Sequence, residues 1–201
     1  MTRCGNPAIP KRNRVSCFRT SRKKLKSLKE IVDAYIREWR PCALREMQSF
    51  RNCRKFAEAI ERASLSTKEN GKRHPHQCRI PGVVLAEAAR NLTAASSRLS
   101  KCRSFESLHG VIKEEIGAIR GLGPLTVYDI ATRIGAYRDL HLEPEMIYLH
   151  AGTAKGAKAL GFHGRKTLNP RELPREFWVL KPREIEDCLC LYEEDLFALR
   201  S

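Results

Sequence analysis

The sequence predicts an all-α fold. It reads as one multi-helix domain of about seven helices over residues 25–201, preceded by a basic arm at 1–24. Three observations carry the prediction. Apolar residues recur at three- and four-residue spacing along most of the chain. No stretch sustains the alternation of a half-buried strand, and no repeat or strand–helix–strand rhythm appears. Proline and glycine fall where helices would start and stop, not inside the periodic runs.

Residues 1–24 hold prolines, a glycine and basic side chains with no acid, and show no period, which predicts a flexible arm. Ten Lys or Arg fall within residues 1–29, enough to add salt-dependent attraction to phosphates. The first helix carries Leu28, Ile31, Val32, Tyr35, Ile36 and Trp39 on one face. Ser27 and Glu30 have capping-box spacing, and Arg40-Pro41 ends the run. A second helix is predicted from about Ala43 to Ser64, with Leu44, Met47, Phe50, Phe56, Ala57 and Ile60 inward and Arg45, Arg51, Arg54 and Lys55 on a solvated face.

Thr67 to Arg79 reads as a polar, solvated loop punctuated by Asn70-Gly71 and Pro75. His74, His76 and Cys78 alternate there. They lack a fourth ligand at a recognisable spacing, so neither a metal nor a cofactor is expected. Pro81 opens a third helix with a stripe of Leu85, Ala88, Ala89, Leu92, Ala95 and Leu99. Ser104 caps the next, which carries Phe105, Leu108, Ile112, Ile116 and Ile119.

That row stops at Gly121-Leu122-Gly123, and Pro124 stands at a first helical position, where its missing N–H is not needed. Val127, Ile130, Ala131 and Ile134 form the following row, and Gly135 suits a left-handed helix end. Residues 108–135 thus read as helix, tight hairpin, helix. Ala136 to Leu142 is a link with two strand-like positions. Glu143-Pro144-Glu145 resembles a helical first turn leading into Met146, Ile147 and Leu149, with a weak point at residues 151–153. Residues 153–161 are small and basic, and Phe162 to Lys166 stays positive. The tail changes sign: residues 167–201 hold eight acids against five Lys or Arg. Its helix from Pro182, with Ile185, Cys188, Leu189, Tyr192 and Leu196 inward, is expected to close the core and face away from nucleic acid.

The chain of 201 residues has 42% hydrophobic content, enough for a real core, and a net charge of +15. That charge, with a pI near 9.8, favours a polyanionic partner, nucleic acid before an anionic membrane. No apolar run approaches membrane-spanning length. The N-terminus shows no hydrophobic signal core, so the expected location is cytoplasmic, with the nucleoid the natural address in a bacterium. Eight scattered cysteines without a C-x-x-C pair read as free thiols.

The hairpin has a chemical consequence. Two glycines let the backbone turn and approach another molecule closely. The N–H groups opening the second helix lack intrahelical partners and carry the positive end of its dipole, which suits a phosphate oxygen. Leu122 is expected to plug the groove between the two helices. Gly121-Leu-Gly-Pro-Leu-Thr126 followed by an apolar helix resembles the helix-hairpin-helix DNA-binding motif. The resemblance implies that amides around Gly121, Leu122, Gly123, Leu125 and Thr126 hold a backbone phosphate without reading sequence. Lys155, Lys158, Arg165 and Lys166 are the expected supporting cations.

The order of parts over residues 25–165 also resembles the base-excision DNA glycosylases built on this hairpin. In the helix after the link, the position nearest that family's catalytic Asp is held by His150. The position of the Lys found in its lyase-type members is held by Leu125. A neutral imidazole does not replace a carboxylate beside developing positive charge, and Leu125 has no amine. The resemblance therefore implies the architecture without the family's chemistry. His150, Tyr128 and Asp129 are the residues around which a different site would be sought. No Walker loop, zinc-protease helix or Gly-x-Ser-x-Gly elbow is present. The expectation is a duplex-DNA-binding protein. An enzyme acting on a base in DNA and an RNA-binding basic protein are the alternatives.

Overall fold

The computed structural model describes residues 25–74 and 77–200. The expected arm at 1–24 and His76 lie outside the described residues. Among these the chain forms ten α-helices, eight of them seven residues or longer, and one two-stranded sheet. The fold is mostly helical, as the periodicity predicts, and more finely divided.

Helix α1 (Leu28–Glu38) begins where Ser27 accepts a hydrogen bond from the Glu30 N–H at 3.2 Å. The expected second helix is broken into α2 (Arg40–Arg51) and α3 (Phe56–Ser64). The break has a geometric cause. Phe50 and Phe56 would lie about 120° apart on a continuous helix, yet both pack against the same core. Pro41 stands in the first turn of α2, where it opens a helix as readily as it closes the one before.

The third predicted helix ends early as α4 (Gly82–Ala94), followed by a single turn, α5 (Ser96–Leu99). Helix α6 (Phe105–Ile116) starts at a reciprocal Ser104–Ser107 capping box. Helix α7 (Pro124–Gly135) follows the hairpin.

The link after α7 departs most from expectation. Gly135 stays helical, and Ala136 is the C-cap. The glycine serves close approach instead: the chain doubles back so that Leu142 N–H reaches the Gly135 carbonyl at 2.8 Å, and a Cβ there would meet the Leu142 oxygen at 2.7 Å. Glu143-Pro144-Glu145 does not start a helix. Glu143 pairs with Lys181 at 2.8 Å, and Ile147 enters a strand. Strand β1 (Ile147–Tyr148) pairs antiparallel with β2 (Thr167–Leu168), Ile147 opposite Leu168.

Helix α8 (Ala151–Ala159) lies between those strands in sequence. Two 3-10 turns, Pro170–Glu172 and Arg175–Val179, lead to α9 (Pro182–Leu191) and α10 (Glu193–Ala198).

Two main apolar cores result. The first is built from α2 to α7 around Phe50, Ile60, Leu92, Phe105, Ile112 and Ile130. The second joins α1 to the C-terminal third of the chain around Ile31, Tyr35, Ile147, Phe177, Leu189 and Tyr192. Each fully buried large apolar side chain contributes about 1.5–3 kcal/mol.

Helix α8 packs against α9 through Gly152 and Gly156. A Cβ at Gly156 would fall on the Leu189 carbonyl, and one at Gly152 on the Cys190 sulfur. The small residues of this segment therefore serve helix packing, not an approach to a ligand. Cys53, Cys78, Cys102, Cys188 and Cys190 are free thiols, whereas Cys42 is disulfide-bonded and departs from that reading. No helix is long and apolar enough to cross a membrane among the described residues.

Candidate nucleic-acid interface

Helix α6 ends with the Gly117 N–H on the Lys113 carbonyl at 2.9 Å. Two further turns follow, Ile119 N–H to Ile116 and Leu122 N–H to Ile119, each 3.1 Å. Gly121 then takes φ +99°, a conformation that L side chains rarely adopt, and reverses the chain. Leu122 is half-buried against the first core and pins the turn from inside. Gly123 is the N-cap of α7 with extended φ −97° and ψ 168°. Its carbonyl accepts from the N–H groups of Thr126 at 3.0 Å and Val127 at 3.2 Å.

This bookkeeping fixes which amides are bare. Among the described residues, the N–H groups of Gly121, Gly123 and Leu125 have no backbone acceptor. All three residues are exposed, and a Cβ at Gly123 would meet nothing within 4 Å. The Thr126 N–H is already used and the residue is 7% exposed, so Thr126 leaves the candidate set.

Two of the four expected supporting cations are held in ion pairs. Lys155 pairs with Glu193 at 3.5 Å, and Arg165 meets both Glu172 oxygens at 3.1 Å. Lys158 and Lys166 are exposed, their carbonyls accepting from Arg200 at 3.0 Å and from the Leu149 N–H at 2.9 Å. The last predicted helix closes the second core as expected, and acids of the tail, Glu172 and Glu193, pair with the basic segment.

Beside the turn stand other groups. Arg120, next to Gly121, is exposed. Val84 of α4 lies 3.8 Å from where a Gly121 Cβ would be, and the Arg73 guanidinium lies 3.0 Å from the equivalent point on Gly82. Arg73 donates to the Ile80 carbonyl at 2.8 Å, which holds it at the start of α4. The N-terminal end of α4 therefore touches the hairpin through Val84. Val83 beside it and Leu125 of the hairpin are exposed, at 76% and 39%. Nothing in the sequence tied α4 to the hairpin, since that contact depends on how α4 packs. Arg120 was legible from adjacency alone.

A second grouping lies between the two cores. The Tyr128 ring is 5.0 Å from His150 and 5.1 Å from Tyr148, with Phe105 edge-on to both tyrosines. Burial, with His109 nearby, pulls the His150 pKa down to about 4, so its imidazole is neutral near pH 7. Tyr128 is pushed well above the usual phenol range by burial and by the carboxylates of Glu186 and Asp187. Asp129 accepts from Gln77 and does not simply face solvent.

The loop that supplies Gln77 is mostly exposed, as expected, but turns two side chains inward. Gln77 and His74 are 2% and 4% exposed, and His74 sits 3.5 Å from Glu46. Sequence reading brought Tyr128 and His150 together correctly, and missed Arg183, Glu186 and Asp187. Those three sit among the apolar residues of α9; Arg183 pairs with Asp187 along the helix, and Asp187 and Glu186 reach Tyr35 of α1 and Thr153 of α8.

Among the described residues, no group of three His, Cys, Asp or Glu is arranged to hold a metal ion. Comparison with protein-family models, curated proteins and solved structures finds no match.

Proposed function

We propose that this protein binds duplex DNA by its backbone, with a phosphate seated on the bare amides of Gly121, Gly123 and Leu125. The observation that carries the reading is the open glycine turn at the N-terminus of α7, a helix of 12 residues, whose dipole and unpaired N–H groups favour an anion. Arg120 adjoins it, and the net charge of +15 supplies long-range attraction. Nothing in this contact reads base edges, so binding depends little on sequence and falls steeply with salt.

The test is fluorescence anisotropy of wild type and Gly123→Glu on a labelled duplex over a salt series. The open space at Gly123 lets the variant fold unchanged, so its melting temperature should match wild type. Its affinity should drop at least about tenfold, since a carboxylate then occupies the anion's place. Unchanged affinity removes the hairpin from the reading. Preference for structured RNA in competition would move the partner to RNA.

One observation favours a second reading, an enzyme that acts on a base in DNA. Tyr128, Tyr148, His150 and the carboxyl groups of α9 converge between the two cores. Incubation with duplexes carrying damaged bases, followed by alkali, tests it: strand scission at the lesion is the expected result, and intact strands oppose it.

A further inference from the structure

The second 3-10 turn, Arg175–Val179, carries a large aromatic ring on its outside. Phe177 is fully buried in the second core and anchors the turn. The two residues after it point outward: Trp178 is 40% exposed and Val179 65%. With three residues per turn, successive side chains leave on different faces, so burying Phe177 fixes where Trp178 stands.

The indole is exposed but not loose. Its Nε1–H donates to the Leu173 carbonyl at 3.0 Å. Arg40 of α2 donates to the Val179 carbonyl at 3.1 Å, and the Leu180 N–H closes on the Phe177 carbonyl at 2.9 Å. A ring held in this way has already lost the freedom that a partner would otherwise have to take from it.

Two guanidinium groups complete the surface. Arg171, from the preceding 3-10 turn, lies over the indole with Cζ 4.7 Å from the ring centre, and Arg175 lies over it at 5.7 Å. Both arginines are exposed, and neither guanidinium makes an ion pair or a hydrogen bond with a described residue. Of the acids in this segment, Glu172 is engaged by Arg165 and by the Asn169 N–H. Glu176 is exposed and paired with neither arginine. A guanidinium that lies on a ring keeps its N–H edge for another acceptor.

We propose that this surface binds single-stranded nucleic acid, with an unpaired base laid on the Trp178–arginine stack and flanking phosphates on the N–H edges of Arg171 and Arg175. The ring is flat and preset, as a stacking platform needs, and every base offers a π-face. Guanidinium groups grip phosphate as a fork. A net charge of +15 draws a polyanion more strongly than an isolated acidic side chain. The apolar area is two side chains, Trp178 and Val179, small for a surface that enters a bilayer. The hairpin grips backbone alone, whereas this surface needs a base out of its pair, so the two readings stand or fall separately.

The probes are a labelled oligo-thymidine of about 15 nucleotides and an abasic strand of equal length and charge, read by fluorescence anisotropy on the full chain. Wild type should bind the thymidine strand at least about fivefold more tightly, the worth of one stacked base. Trp178→Ala should bring the two affinities within about twofold of each other, and Trp178→Phe should keep most of the difference. The ratio is read within each variant, so a partly unfolded sample leaves it unchanged. Replacing Arg171 and Arg175 together by Gln should flatten the salt slope for the thymidine strand by about 1.4. Gly123→Glu should leave the ratio as in wild type. Equal affinity of wild type for the two strands overturns the proposal, as does an undiminished ratio in Trp178→Ala or an unchanged slope in the double arginine variant. Displacement of the strand by an oligo-glutamate peptide at equal charge would assign the surface to an acidic protein. Cosedimentation with phosphatidylserine–phosphatidylcholine vesicles that is lost in Trp178→Ala would assign it to a membrane. Either result overturns the proposal as well.

Discussion

A methyl group at position 156 has nowhere to go. Gly156 faces the Leu189 carbonyl across the α8–α9 contact, and the obstacle is backbone, which cannot rotate aside. Gly156→Ala should therefore destabilise the protein by about 2–3 kcal/mol in urea melts, the cost of overpacking against a fixed partner. A loss under about 0.5 kcal/mol would mean the helices sit further apart.

Glu186 makes a pH statement at the same scale. Its folded pKa lies above its unfolded one, so the unfolded chain releases that proton first as pH rises. Stability held below the unfolded pKa is lost as pH climbs through the folded one. Glu186→Gln keeps an acceptor for Thr153 and does not titrate. Its melting temperature should rise relative to wild type from about pH 5 to about pH 8. His150 shifts in the opposite direction, losing stability as pH falls from its ordinary range towards about 4, but it is common to both proteins and cancels in the difference. A flat difference would show that Glu186 is no more perturbed folded than unfolded.

Among the elements, the hairpin was the most readable and the link at 143–148 the least. The Gly-Leu-Gly-Pro run dictates a turn followed by a helix from local chemistry alone, and both formed. The contact of that turn with α4 is set by packing, through Val84 against Gly121, and no periodicity reports it. Arg120→Ala tests the hairpin as an element: the slope of log affinity against log salt should flatten by about 1, with no change in sequence preference. Lys158→Ala should leave that slope closer to wild type. The reverse ranking would return the interface to α8.

The divided second helix and the extended link at 143–148 were illegible for a shared reason. Each breaks its local pattern so that two side chains can reach one core, or one strand can find a partner about twenty residues away. Helix α9 was readable as an apolar stripe. Its polar edge reads as solvated in one dimension and turns out to be interior.

At the scale of the molecule, the helical class, the single hairpin and most apolar positions were written in the sequence. The division into two cores was not, because α1 takes its partners from residues more than a hundred positions away. The chain is strongly basic as a whole, yet Glu186 and Asp187 of α9 are placed against α8 and α1, and Glu193 of α10 pairs with Lys155 of α8.

Because the companions of α1 begin at Ile147, more than a hundred residues must follow this helix off the ribosome before it finds cover. Through most of synthesis Ile31, Val32 and Tyr35 stand bare on an emerging segment, while the residues between α2 and α7 already have each other. An early stop codon would leave that greasy stripe orphaned, a natural handle for chaperones and proteases.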